Sequence, residues 1–424
     1  MKSQAVQTKY RWVICSLLFF ATTINYVDRQ ILSLLKPILD EQLGWTSTQF
    51  GMINSAFQAS YGVSLFFFGW FIDRFGTKAG YAVSIGAWSI AAMSHALVNS
   101  IGGFFGVRIA LGLGEGGNFP AAIKATAQWF PKKERALATS LFNSGANVGA
   151  IVAPATVPWI AQTLGWHWAF IFAGLGGLLW LGAWWPLFDQ PGKSRRVSAG
   201  ELAYIESDIP DRGESCGKVT WGAILRHREA WSFIAAKFLT DPVWWFFLIW
   251  LPDFFKKTRH LDIKNSWVHL VSIYTIITVL SIIGGWVTGW LTGRGWSITR
   301  ARKSGMFVFA LCVVPIAMAT RVSDWTAVFL IGLAGAAHQA WSANLFTTVS
   351  DMFPKRAVAT LTGVGSTAGS VGGMCFPILT GMLLDHFANG YAIIFGLCSV
   401  AYLLAFLINH LLAPKFDPVV LDEG

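Results

Sequence analysis

Twelve apolar runs, each long enough to cross a lipid bilayer, divide the chain. They fall near 12–35, 48–70, 79–98, 101–126, 136–160 and 167–187, then near 230–252, 267–290, 304–320, 326–350, 358–384 and 391–413. Lipid offers no hydrogen bonds to an open backbone, so a series of such runs folds only as helices. The spacing therefore predicts an all-α membrane protein of twelve transmembrane helices in two six-helix bundles. The bundles would be 1–187 and 230–424, joined by a polar loop over 188–229, with a short tail closing the second. Composition agrees: 54% of the 424 residues are hydrophobic and 13% charged, against about 25% charged in soluble domains. A soluble enzyme and a disordered chain are both excluded on that ground. The 22 Trp and 33 Phe suit a surface that meets lipid and headgroups.

The formal net charge of +10 suggests nucleic acid in a soluble protein, but no RNP, zinc-knuckle or helix-turn-helix pattern accompanies it. Basic residues instead follow topology. With both termini cytoplasmic, 22 Lys and Arg lie in inside segments and 6 (Lys36, Lys256, Lys257, Arg259, Lys264, Arg321) in outside loops. The five cysteines are odd in number and form no CxxC, so neither a disulfide framework nor a metal site is expected. The run from Trp12 to Leu35 lacks a small-residue cleavage site and reads as a span, not a signal peptide. Ser198 to Asp208 reads as a short amphipathic strap helix.

The two halves echo each other. Phe130-Pro131-Lys132 enters the fifth run and Phe353-Pro354-Lys355 the eleventh. GWFIDRFGTKAG (Gly69–Gly80) and GWVTGWLTGRG (Gly285–Gly295) occupy matching places. Paired six-helix repeats are a transporter arrangement. Gly69, Asp73, Arg74, Gly76 and Lys78 resemble the GxxxDRxGxK loop of the major facilitator superfamily, while Gly289 stands where the second copy would carry Asp. NYVDRQ (Asn25–Gln30), RIALGLGEGGNFPAAIK (Arg108–Lys124) and WFPKKERALATSLFNSGANVGA (Trp129–Ala150) resemble its anion:cation symporters. KFLTDPVWWF (Lys237–Phe246) and AHQAWSANLFTTVSDMFP (Ala337–Pro354) resemble the hexuronate branch. The resemblance implies the major facilitator fold, a bacterial inner membrane, and proton symport of galacturonate or glucuronate by alternating access. Related branches carry aldonates such as galactonate, or glucarate. Spans one and four would line the central pathway.

A charge at mid-membrane costs roughly 2.5–3.5 kcal/mol on insertion scales, so ionisable residues there need a cavity or a partner. They are Asp28 and Arg29 in span one, Arg108, Glu115 and Lys124 in span four, and Lys237 and Asp241 in span seven. Arg108 and Glu115, seven apart, share a helix face. An Arg fork matches a carboxylate bidentately, so Arg29 and Arg108 are expected to bind an organic anion. Arg29 neutralising Asp28, with Arg108 near the outer entrance, is the alternative. Asp28 and Glu115 are expected to carry protons as the coupling ion, with no other cofactor. Asp28, next to Arg29, would be released when a substrate carboxylate takes that Arg; a structural hydrogen bond is the alternative for Glu115. Lys237 and Asp241, four apart, form either a structural ion pair or a pair that lends Lys237 to the substrate. Lys124 is expected to snorkel.

Sugar hydroxyls need polar and flat aromatic partners. Tyr26, Tyr61, Asn147, Trp245, His338, Gln339 and Asn344 are the candidates inside spans. Asp73, Arg74 and Lys78 should latch one conformation. No Walker A sequence, HExxH or acidic cluster is present, which disfavours an ATP-driven pump and a membrane enzyme. The expected partners are a small organic anion and lipid, with a monomer as the functional unit.

Overall fold

The structure is a computed structural model describing residues 8–207, 221–261 and 263–421. Asp208, at the end of the expected strap, and the central-loop stretch 208–220 lie outside the described residues. The described residues form helices and no strand. The backbone contacts divide into two compact units: residues 1–35 with 56–214, and residues 36–55 with 215–424.

In the first unit lie most of α1 (Tyr10–Leu43) and α2 (Ser47–Phe75), then α3 (Thr77–Ser94), α4 (Ile101–Glu115), α5 (Asn118–Trp129), α6 (Lys132–Thr163), α7 (Trp166–Leu187) and the short α8 (Ala199–Ile205). The fourth apolar run is thus one span in two pieces. Pro120 has no N–H to donate to the Gly116 carbonyl four residues back, so the ladder is interrupted there. Gly116 and Gly117 both stay right-handed, and the chain bends without reversing. The glycines of this run permit close approach. A Cβ on Gly114 would lie 2.6 Å from the Trp88 backbone nitrogen, and one on Gly117 2.5 Å from Ser84 Oγ.

The core of this unit is aromatic. Tyr81 packs on Trp180 and Trp184 with ring centroids 5.2 and 5.0 Å apart, and Trp184 stacks on Phe188 at 4.0 Å. The α1 N-terminus is tied down by α8. Glu201, fully buried, accepts from the backbone N–H groups of Tyr10 (3.0 Å) and Arg11 (3.1 Å) and from the Arg11 guanidinium (3.1 Å). It therefore caps a helix 190 residues away.

The second unit holds the remainder of α1 and α2, then α9 (Trp221–Leu225), α10 (Arg228–Arg259), α11 (Ile263–Gly293), α12 (Ile298–Val313), α13 (Asp324–Met352), α14 (Lys355–His386) and α15 (Gly390–Leu412). Glycines of α14 lie against α10: a Cβ on Gly372 would meet the Phe238 carbonyl at 2.5 Å, and one on Gly373 would meet Trp245 at 2.5 Å. Asp385 caps α2 by accepting from the N–H groups of Ser47 (2.9 Å) and Thr48 (2.8 Å).

Lys36 corrects one expectation. It is not a loop residue, because α1 runs on to Leu43. Its side chain is 1% exposed and its ammonium lies 2.7 Å from Asp40 and 2.9 Å from the fully buried Asp253. Two carboxylates offset the cost of burying its ammonium. Among the described residues, six helices are long and apolar enough to cross a membrane by length and composition. Large apolar side chains such as Phe66, Trp159, Leu179, Ile282 and Trp286 face outward, as lipid requires.

Lys36→Met should destabilise the detergent-solubilised protein by about 3 kcal/mol, because Asp253 loses its closest cation in a buried site. Adding Asp253→Asn should recover more than half of the lost melting temperature in a thermal-shift measurement.

Candidate functional site

Each unit carries its own polar cluster. In the first, Arg29 of α1 donates from Nε to Glu115 Oε2 at 2.6 Å, with the Glu115 side chain fully buried. Its guanidinium lies over the rings of Tyr61 (4.4 Å), Tyr26 (5.2 Å) and Phe57 (5.5 Å). Arg108, 1% exposed, shares Phe57 as a neighbour at 5.5 Å and donates to the Arg29 carbonyl at 3.4 Å. Asp28 is buried, and neither of its carboxylate oxygens has a hydrogen-bond partner among the described residues. It lies within electrostatic reach of Glu115, Arg108 and Arg29. Two cations and two carboxylates from α1 and α4 therefore meet in a buried position.

The pairing differs from the expectation in one respect. Arg29 bonds Glu115, from another helix, and not its neighbour Asp28. Adjacent residues on a helix diverge by about 100° and face different directions, whereas Glu115 ends α4 opposite α1. Asn147 sits on α6 between Gly145 and Gly149, whose surfaces abut Phe19, Thr23 and Tyr26 of α1. Asn25 and Phe57 belong to this cluster and escaped the sequence reading. Each lies four residues before a residue singled out there (Arg29 and Tyr61), and that helical spacing was the available signal.

In the second unit Lys237 and Asp241 pair at 2.7 Å, and the Lys237 ammonium lies 4.5 Å from the Phe346 ring centre. His338 Nδ1 and the Tyr402 hydroxyl are 2.6 Å apart, and the Tyr402 hydroxyl also lies 3.3 Å from the Thr240 carbonyl. The His338 ring stacks on Trp244 with centroids 5.4 Å apart and an interplanar angle of 6°. Tyr402 had no sequence signal beyond a hydroxyl in an apolar helix. Trp245 lies against Gly373, and Gln339 is half-buried. Asn344 is drawn into a different network. It accepts from Arg302 at 3.2 Å, and Arg302 also pairs with Asp351 at 3.2 Å and reaches Thr288 Oγ1 at 3.4 Å. The second repeat, lacking an acid at Gly289, thus carries a base on α12 and an acid at the end of α13.

In the GxxxDRxGxK loop Gly76 has φ of +88°, a left-handed conformation suited to glycine. Asp73 pairs with Lys124 at 2.6 Å and Lys78 with Asp189 at 2.8 Å, while Arg74 is exposed. Lys124, expected to snorkel, therefore joins α5 to α2.

Long helices with paired charges at depth define a multi-pass membrane transport protein. Residues 18–374 match the family model of the Major Facilitator Superfamily, and the chain belongs to that superfamily. Its members are transporters, not enzymes. The chain is 29% identical over 405 residues to the hexuronate transporter of Escherichia coli (strain K12), covering 94% of this chain and 93% of that protein. It is 26% identical over 395 residues to the D-galactonate transporter of Escherichia coli O6:H1, covering 91% and 92%. Among solved structures, a bacterial homologue of the human lysosomal transporter Spinster, inward-facing and occupied, superposes with a TM-score of 0.75 at 17% identity, covering 96% and 97% of the two chains. That likeness concerns the fold alone.

A double-mutant cycle on Lys237→Ala and Asp241→Ala should give a coupling energy of roughly 0.5–3 kcal/mol, the range for residues in contact. Thermal unfolding of the four proteins measures it; an additive result would mean that the pair contributes nothing as a pair.

Proposed function

We propose that this protein is a secondary active transporter that couples the uptake of a sugar acid to protons by alternating access, with a hexuronate such as galacturonate or glucuronate as substrate. The carrying observation is the buried Arg29–Glu115 pair beside an Asp28 whose carboxylate has no hydrogen-bond partner among the described residues. A substrate carboxylate fits the Arg29 fork in place of Glu115. Glu115, displaced and buried, then favours a proton over a bare charge. Asp28 is the second acid in the same field and takes a proton when Arg29 and Arg108 turn toward substrate. Tyr26, Tyr61 and Phe57 supply flat faces and two hydroxyls for a sugar ring. Lys237, His338 and Trp245 are the corresponding candidates of the second unit.

The hexuronate and galactonate relatives support a sugar acid. An aldonate such as galactonate, or glucarate, is the second reading, favoured by the similar identity to the galactonate transporter. One proton per uronate would be electroneutral; two would let the membrane potential contribute ~2.3 kcal/mol per charge per 100 mV. The positive-inside asymmetry supports cytoplasmic termini, and the relatives support a bacterial inner membrane. The working unit is a monomer, and rearrangement of the Asp73, Arg74 and Lys78 loop accompanies the change of access.

The test is uptake of labelled galacturonate into liposomes with and without an inward proton gradient, with galactonate and glucose as competitors. Gradient-driven accumulation blocked by uronate but not by glucose is the expected result. Arg29→Ala should lower uptake by about a hundredfold, as loss of a buried charge-assisted contact costs several kcal/mol. Glu115→Gln and Asp28→Asn should keep counterflow and lose accumulation. Transport of galactonate alone would move the substrate to the aldonates, and no transport of any organic anion would refute the reading.

A further inference from the structure

The end of α4 is held by two serines from other helices. Ser84 of α3 donates to the Gly114 carbonyl at 2.7 Å, and Ser64 of α2 donates to the Leu113 carbonyl. Both serines are buried, at 0% and 1% exposure. These carbonyls belong to the last turn of a helix, where the backbone has run out of its own donors. The helix ends there because Pro120 offers no N–H and Gly116–Gly117 carry the bend. Glu115 is the last residue of α4, so its carboxylate is fixed by whatever fixes that terminus. The carbonyl end of a helix is also its negative pole, and hydroxyl donors there offset a field that acts directly on Glu115. The charged groups facing Glu115 are Arg29 and Asp28 from α1 and Arg108 from α4; α2 and α3 contribute the two serines.

We infer that Ser64 and Ser84 are positioning residues, which hold the broken end of α4 so that the Glu115 carboxylate meets Arg29 and can exchange that partner for a proton. The geometry leaves little room for another arrangement. A Cβ on Gly116 would lie 2.5 Å from Ser64 Oγ, and one on Gly117 2.5 Å from Ser84 Oγ. The glycines therefore admit the serines as well as the bend. The serine hydroxyls bond the α4 carbonyls beside Glu115, so their effect is on coupling more than on anion binding. This inference rests on the proton-coupled reading above.

The experiment compares two transport modes in the same liposomes: proton-gradient-driven accumulation of galacturonate, and galacturonate counterflow at equal pH. Ser84→Ala and Ser64→Ala should each lower accumulation by about five- to tenfold, within the range by which supporting residues modulate coupling, while counterflow falls less than twofold. Ser84→Cys, which keeps a weak donor, should recover part of the loss. Pro120→Ala returns a donor to the Gly116 carbonyl at the loss of two ring methylenes from a partly buried residue, so it should fold and show the same split. Accumulation and counterflow falling in parallel in all four variants, or neither changing, would overturn the inference while leaving a coupled wild type intact. A wild type that exchanges galacturonate without responding to the gradient would overturn the coupling reading, and this inference with it.

Discussion

The Arg29 guanidinium, buried among apolar helices, is met by the Glu115 carboxylate, and much of the first unit's local arrangement bears on that contact. Arg29 is on α1, Glu115 closes α4, and their 2.6 Å contact requires α4 to end where it does. The Pro120 interruption, the glycines that admit Trp88 and the serines, and the aromatic floor of Phe57, Tyr61 and Tyr26 all serve that one meeting point. A buried pair of this kind is a weak source of stability, because desolvation offsets most of the attraction. In the proposed mechanism an incoming carboxylate takes over one partner and a proton the other, which limits the net cost in charge burial.

The same economy of charge appears elsewhere in the chain. Lys36 is balanced by Asp40 and Asp253, Lys237 by Asp241, and Arg302 by Asp351. Each pair joins residues four apart on one helix or facing residues of two. Helix ends are treated alike. Glu201 caps α1 and Asp385 caps α2 from far along the sequence. A carboxylate at a helix N-terminus meets both unpaired N–H groups and the positive pole. These caps tie each helix end to a residue far along the chain.

Much of this was legible in the sequence because lipid imposes simple rules. Length and apolarity located the twelve spans, and rarity marked Asp28, Arg29, Arg108, Glu115, Lys237 and Asp241 as worth attention. The i,i+4 spacing of Lys237 and Asp241 gave their pairing directly. Pairing between helices was not legible. Asp28 stood next to Arg29 in the chain, yet the helix turns them apart and Glu115, 86 residues on, becomes the partner. Lys36 looked like a loop residue because Asp253, the second of its two acids, is supplied by packing. The contact between Asn344 and Arg302, 42 residues apart, had no signal in the sequence either.

The contrast between the two clusters bears on how labour is divided. In the first unit the paired base is an arginine, which keeps its charge in any protein environment and presents a planar fork. In the second unit the paired base is a lysine, a point charge, beside a histidine already engaged by Tyr402 and Trp244. The two clusters therefore differ in kind. In the first, a directional fork on α1 is met by a carboxylate from another helix; in the second, a non-directional charge is met four residues along its own helix.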